Sequence, residues 1–174
     1  MDYFLLKQDE RYTNTPRLKD IFYKLNVNNI NRLNAHKIYD VVIFNVDADV
    51  RCEYTYILDK QLFLISEKLI KVVFKYDPEM IIKDIPLIDV KRERQENYYL
   101  PILEEVNALS NKSEVGVNKT VYKKIVLNKE KIKGKKIFKI KEISKTLIVV
   151  RLDVAESILR RRPKGISLEK LEVE

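Results

Sequence analysis

The chain has 174 residues, of which 45% are hydrophobic and 34% are charged, and its formal net charge is +8. A chain of this size buries about 70% of the surface that its unfolded form exposes, so the composition predicts a folded core and excludes a disordered protein. The most apolar windows, 41–46 and 147–150, are far shorter than the roughly 20 residues that span a bilayer. The opening residues lack the basic region and cleavage site of a signal peptide. We therefore expect no membrane segment.

The positive charge lies mainly in the last third of the chain. Residues 1–118 carry 17 basic and 19 acidic residues, a net of −2, whereas residues 119–174 carry 17 and 7, a net of +10. A basic face attracts an acidic partner or nucleic acid. Abundant lysine, asparagine and isoleucine are also typical of AT-rich coding, so the charge fits either explanation. The single cysteine, Cys52, excludes an intramolecular disulfide and favours a reducing cytoplasm.

The first 54 residues predict strands separated by irregular structure. Residues 2–7 have the composition of a strand, and turn-forming residues end it at 13–16. Residues 41–46 are apolar except for Asn45, which predicts a buried strand. Between them, 26–36 contains five asparagines without a sustained period, which is typical of a surface loop.

A hairpin and a helix are predicted next. Segments 56–58 and 62–65 are expected to pair across a short turn. Ser66 then stands at the N-cap position of a helix over 67–76, whose apolar residues recur at one-turn spacing. The helix should end before Pro78, because a residue that precedes proline disfavours the helical conformation.

The middle of the chain predicts two further strands and a connection. Segments 85–90 and 98–103 are strand candidates, separated by the charged residues 91–97, and are expected to form a hairpin. Segment 107–119 has few apolar residues and contains Gly116, so it predicts an exposed connection.

The last third predicts strands around a second helix. Pro163 ends a helix predicted over 153–162, and Asp153 and Glu156 have the spacing of a capping box at its start. A short strand over 165–171 closes the chain. The preceding strands are rich in β-branched residues and occupy 121–127, 136–140 and 146–150.

These elements predict an α+β fold with a mainly antiparallel or mixed sheet and two clear helices, at about 67–76 and 153–162. The helices are too few for alternating βα units. Residues 1–174 are predicted to form a single domain, with the alternative of two lobes divided near 107–119.

Residues able to carry catalysis are isolated in this sequence. His36 is the one histidine, which excludes a multi-histidine metal site, and the three scattered glycines exclude a phosphate-binding loop. Cys52 has no histidine nearby to activate it. The acidic pairs Asp47/Asp49 and Glu104/Glu105 lack a specific spacing and are expected to be solvated. We therefore predict no catalytic, cofactor-binding or metal-binding residue, and a protein that is not an enzyme.

The densest cationic run follows the second predicted helix. Arg160, Arg161 and Arg162 are succeeded by Pro163 and Lys164. Cations at this position stabilise the last helix carbonyls and the macrodipole. The alternative is a partner-binding role, and we predict Arg160, Arg161, Arg162 and Lys164 as partner-binding residues.

The order of several segments resembles one bacterial family, although each segment alone is short. On them the chain is similar to the eleventh catalogued family of immunity proteins from bacterial polymorphic toxin systems. The resemblance does not extend to residues 26–54. The matching segments are YFLL at 3–6, LFLISEKL at 62–69, NYYL at 97–100, IVLNKEKIKGKKIFKI at 125–140, IVVRLDVAESIL at 148–159, and Gly165.

The resemblance implies a protein that binds and neutralises a cognate toxin made by the same cell or its kin, and it brings no catalytic residues. It also implies that the early loops, 26–54, are particular to this protein's own partner. The alternative from composition is a nucleic-acid-binding module that uses the basic C-terminal third.

Overall fold

The computed structural model describes residues 1–174 and consists of two six-stranded sheets, a two-stranded hairpin and three short α-helices. None of these helices is both long enough and apolar enough to cross a bilayer. The helices are α1 (Ile21–Lys24), α2 (Glu67–Val73) and α3 (Leu152–Leu159). The strands are β1 (Tyr3–Gln8), β2 (Arg17–Leu18), β3 (Phe44–Asp47), β4 (Ile57–Leu58), β5 (Leu64–Ser66), β6 (Ile81–Asp89), β7 (Arg94–Ile102), β8 (Glu105–Val106), β9 (Glu114–Val115), β10 (Tyr122–Lys124), β11 (Val126–Leu127), β12 (Ile137–Ile140), β13 (Ile148–Arg151) and β14 (Ile166–Val173).

Sheets dominate and contain both parallel and antiparallel pairs, which confirms the predicted α+β class. The first sheet, called the terminal sheet, has the order β11-β14-β1-β13-β12-β8. Its strand β1 pairs antiparallel with both β13 and β14, so the N-terminus completes a sheet made mostly from the C-terminal third. The second, called the middle sheet, has the order β2-β3-β6-β7-β5-β4 and is centred on the long β6–β7 hairpin.

The two sheets share one apolar core that also contains α2 and α3. Helix α2 packs on β5 and β7, and α3 packs on α2, β1 and β13. The apolar stripe of α3 is buried there, as its spacing predicts. The core members include Leu6 and Ile148 from the terminal sheet, Ile57 and Ile65 from the middle sheet, and Leu69, Val73, Val154, Ala155 and Ile158 from the helices.

The chain crosses between the sheets earlier than the predicted division at 107–119, because β7 ends at Ile102 and β8 begins at Glu105. Segment 107–119 is not simply exposed, since Ala108 and Ser110 are buried against the terminal sheet. The single domain and its two-lobe alternative stay predictions.

The predicted helices begin in the expected places and end early. Helix α2 stops at Val73 and α3 at Leu159, each three residues before the predicted end. Ser66 is the N-cap of α2, as predicted, but its side chain makes no capping hydrogen bond. Its hydroxyl is buried without a partner.

The predicted capping box at α3 is wrong. Arg151 is the N-cap residue, and Asp153 lies inside the first turn. The Asp153 carboxylate instead accepts hydrogen bonds from Arg151 Nε at 2.8 Å and Nη2 at 2.7 Å. This pairing holds the pKa of Asp153 below its usual range.

Three strand predictions need correction. The charged segment 91–97 is mostly strand, because β7 begins at Arg94 and the hairpin turn is short. The segment 121–127 is split between β10, in the separate hairpin, and β11, in the terminal sheet. The buried strand predicted over 41–46 is β3, which begins at Phe44 and alternates buried and exposed residues. The middle sheet is covered on only one face at β3.

The segments that lead into β4 of the middle sheet and β14 of the terminal sheet approach each other closely at Thr55 and Gly165. A Cβ atom on Gly165 would lie 2.3 Å from Thr55 Cγ2, and the Gly165 φ angle is +76°. The backbone bridges the sheets here, because Tyr56 N–H donates to the Lys164 carbonyl at 2.9 Å. Gly165 thus satisfies two requirements at once, a left-handed backbone and a side-chain-free approach.

Substitution of two glycines separates these requirements. Gly134 has almost the same φ angle, +77°, but nothing within 4 Å of an added Cβ. We expect Gly134→Ala to lower the free energy of unfolding by about 1–2 kcal/mol through backbone strain. Gly165→Ala should cost about 1–3 kcal/mol more, because Thr55 must move. Urea unfolding of both variants measures the difference, and equal losses would contradict the close approach.

Candidate functional site

The four predicted cations lie in the segment that joins α3 to β14. Arg161 Nη1 donates to the Ser157 carbonyl at 2.5 Å, which is the helix-terminal role described above. Lys164 Nζ lies 2.5 Å from Glu53 Oε2, so its charge is already paired. Arg160 lies 3.9 Å from Glu156, and Arg162 is exposed without an ion pair. Their role in partner binding stays a prediction.

The acidic pairs are occupied by ion pairs and turn contacts rather than aimed at a common point. Asp49 accepts hydrogen bonds from the Asn14 side chain and from the Arg51 backbone N–H, which lower its pKa. No group of three or more histidine, cysteine or acidic side chains could hold a metal ion. The other three carboxylates lie near Arg17 and Lys19 (Asp47), Lys135 (Glu104) and Lys139 (Glu105).

The remaining chemical candidates are no better placed. His36 is exposed in a single 3₁₀ turn. Burial raises the pKa of the half-buried Cys52 thiol, which favours the unreactive protonated form.

A cavity of about 430 Å³ separates the sheets, and residues of the asparagine-rich loop line one side of it. Its polar groups mostly serve the fold. Lys60 donates to the Thr13 carbonyl, Asp59 accepts from the Gln8 N–H, and Lys139 pairs with Glu105. A ligand that bound these three groups would have to displace their contacts.

Four large uncovered side chains are concentrated in residues 21–43. Phe22 and Tyr23 on α1 are 90% and 92% exposed, and Leu33 and Tyr39 are 82% and 80% exposed. Aromatic side chains are the residue type most enriched at the energetic centre of protein interfaces. One signal in the sequence pointed to part of this segment, because residues 26–54 lie outside the family resemblance. Helix α1 itself, with four residues, has no detectable period.

This segment is exposed but held in place. Leu25, Ala35 and Ile38 are buried in the core of the middle sheet. Arg32 lies 3.1 Å from Asp77, beyond the end of α2. The Lys83 amine, on a side chain only 7% exposed, donates to Asp40 at 2.7 Å and lowers the pKa of that carboxyl group. Because the exposed residues are anchored on both sides, the segment loses less conformational entropy when a partner binds.

The segment ends at residues 39–43, which we call the outer edge; they lead into β3 of the middle sheet, and Val41 forms an isolated parallel bridge with Asp84 of β6. Tyr39, Val41 and Ile43 are exposed or half exposed, whereas Val42 between them is buried. Lys24 of α1 reaches this edge and donates to the Ile43 carbonyl at 2.7 Å. The α1 aromatic residues and the outer edge are therefore tied together.

Substitutions in α1 test whether the aromatic residues are unpartnered. We expect the double substitution Phe22→Ser with Tyr23→Ser to change the free energy of unfolding by less than about 0.5 kcal/mol, because neither side chain is covered. Leu25→Ala, directly after the helix, should cost about 2–5 kcal/mol because Leu25 is buried. Chemical denaturation of the two variants provides the comparison. A loss of unfolding free energy in the double variant as large as that in Leu25→Ala would mean that the aromatic residues belong to the core.

Comparison with known proteins leaves the family unassigned. No protein-family model matches the chain, and no curated protein matches it. The resemblance to the immunity family stays a prediction that rests on the order of the segments in the sequence.

Proposed function

We propose that this protein is an immunity-type binding protein that neutralises a cognate bacterial toxin by direct contact in the cytoplasm, without catalysis. The observation that carries the proposal is the concentration of uncovered aromatic and aliphatic side chains in the anchored segment 21–43. Isolated apolar residues on a surface are ordinary, but several large ones within one anchored segment favour an interaction site.

Two further features support this function. Phenylalanine and tyrosine supply large contact areas with few rotatable bonds, so little entropy is lost when they are covered. The exposed segment overlaps residues 26–54, where the family resemblance stops, as expected if each family member carries its own contact surface for its own toxin. The toxin would then be recognised by the anchored segment 21–43, and the two sheets would support that segment.

The basic C-terminal third favours a second candidate, a nucleic-acid-binding module. The turn between β11 and β12 exposes Lys129, Lys133 and Lys136, which form no ion pair. Such a cluster binds phosphates without sequence preference, and its affinity falls steeply as salt is added. We favour toxin binding because binding of nucleic acid by the lysine residues would not explain the exposed aromatic residues of segment 21–43.

Co-expression tests the proposed function. We expect this chain to protect bacteria from the toxin domain encoded by the neighbouring gene and to form a stable complex with that domain after purification. A stop codon early in this gene is the matched control, and an unrelated toxin domain tests specificity. Failure to protect and to bind would contradict the proposal. Binding to nucleic acid instead, with a steep salt dependence, would support the second candidate.

A further inference from the structure

The outer edge is left bare by a turn in the preceding chain. Strand β2 runs antiparallel to β3, and their contact ends where Lys19 N–H donates to the Asn45 carbonyl at 2.9 Å. At Asp20 the backbone adopts a left-handed conformation, with φ of 58°, and the chain turns into α1. No strand therefore continues beside residues 41–43.

The backbone of the outer edge keeps free hydrogen-bonding groups. On the side facing β6, Val42 N–H donates to the Asp84 carbonyl and Asp84 N–H donates to the Asp40 carbonyl. Alternate residues of a strand bond to opposite neighbours, so the N–H groups of Val41 and Ile43 are directed away from β6. Neither donates to an acceptor within the protein.

One carbonyl on this edge is covered by a side chain rather than by backbone. The Lys24 ammonium group donates a hydrogen bond to the Ile43 carbonyl. Lysine on a sheet edge is a common protection against unwanted pairing, because a bare edge accepts strands of other chains. A lysine side chain is flexible, and a partner's N–H could take its place while a partner's carboxylate paired with the released ammonium group.

We propose that an extended segment of the toxin, with an acidic residue near it, adds to the middle sheet as a new strand along the outer edge. This inference rests on the proposed function. The added strand donates to and accepts from the free backbone groups of Val41 and Ile43. Its side chains meet the half-exposed Val41 and Ile43 side chains on the outer face of the sheet, and Phe22 and Tyr23 lie beside it on α1. Addition of a strand to an exposed edge is an established mode of protein recognition.

A proline substitution tests the strand addition. Ile43→Pro removes an N–H that forms no hydrogen bond in the free protein, and proline is tolerated on an edge strand when its nitrogen faces solvent. We expect the affinity for the purified toxin domain from the neighbouring gene to fall about 30-fold or more. The matched control, Ile43→Val, keeps the N–H and should stay within about threefold of the native chain. Titration calorimetry measures both.

A second variant guards against loss of folding in the proline variant. Val41→Lys places a charge on the outer edge, where the side chain is already half exposed, and should also abolish tight binding. Val117→Lys, at a fully exposed position in the separate hairpin, is its control and should bind normally. Circular dichroism and urea unfolding establish that each variant is folded.

The other outcomes are distinguishable. If the native chain does not bind the toxin domain, the proposed function fails and the inference falls with it. If the native chain binds and both edge variants bind equally well, only the strand addition is wrong. Sedimentation that shows a native dimer, dispersed by Ile43→Pro, would assign the edge to a second copy of this chain. Loss of binding only in a Lys129/Lys133/Lys136→Gln variant would assign the contact to the basic turn.

Discussion

The joining of the two sheets depends on the close approach of the Gly165 backbone to the Thr55 side chain. The segments that lead into β4 of the middle sheet and β14 of the terminal sheet meet at this point. The Tyr56–Lys164 backbone hydrogen bond holds that approach, and a Cβ atom at position 165 would force the Thr55 side chain to move. The buried Tyr98 hydroxyl donates to the Thr55 carbonyl at 2.6 Å and holds the same point from the side of the middle sheet.

The shared core also determines which surface is left open. Helices α2 and α3 fill the space beside β4, β5 and β7, at one end of the middle sheet. Strand β3 lies toward the other end of that sheet and contributes no residue to the shared core. One of its faces packs against the anchored segment, and the other has no covering element. An exposed apolar surface at this position is thus a consequence of the way in which the sheets join.

Local signals in the sequence were sufficient for much of the fold. The β4–β5 hairpin, the start of α2, the buried stripe of α3 and the closing strand follow from spacing and composition, because each depends on neighbouring residues. The exposure of Val41 and Ile43 does not, since it depends on which distant element covers the sheet. The same limit explains why Asp153 was wrongly predicted as the N-cap of α3, a position that Arg151 holds. The outer edge is uncovered because the chain turns at Asp20, and the local composition does not predict the left-handed backbone there.

The predicted cations and the aromatic segment fit different stages of one encounter. Arginine residues at the rim of an interface mainly change the rate of association, whereas buried aromatic residues determine how long a complex lasts. Arg160 and Arg162 retain exposed charge, and Lys164 is largely committed to Glu53. A steering role for the arginine residues is therefore compatible with contact at the outer edge, and the two surfaces need not coincide.

Hydrogen–deuterium exchange of the protein alone and in complex with the toxin domain tests the central claim most directly. The free N–H groups of Val41 and Ile43 should exchange fast in the protein alone, because they form no hydrogen bond. In the complex, we expect strong protection of residues 21–43 and little change in exchange at residues 160–164. Protection confined to 160–164 or to the β11–β12 turn, with residues 41 and 43 still exchanging fast, would contradict it.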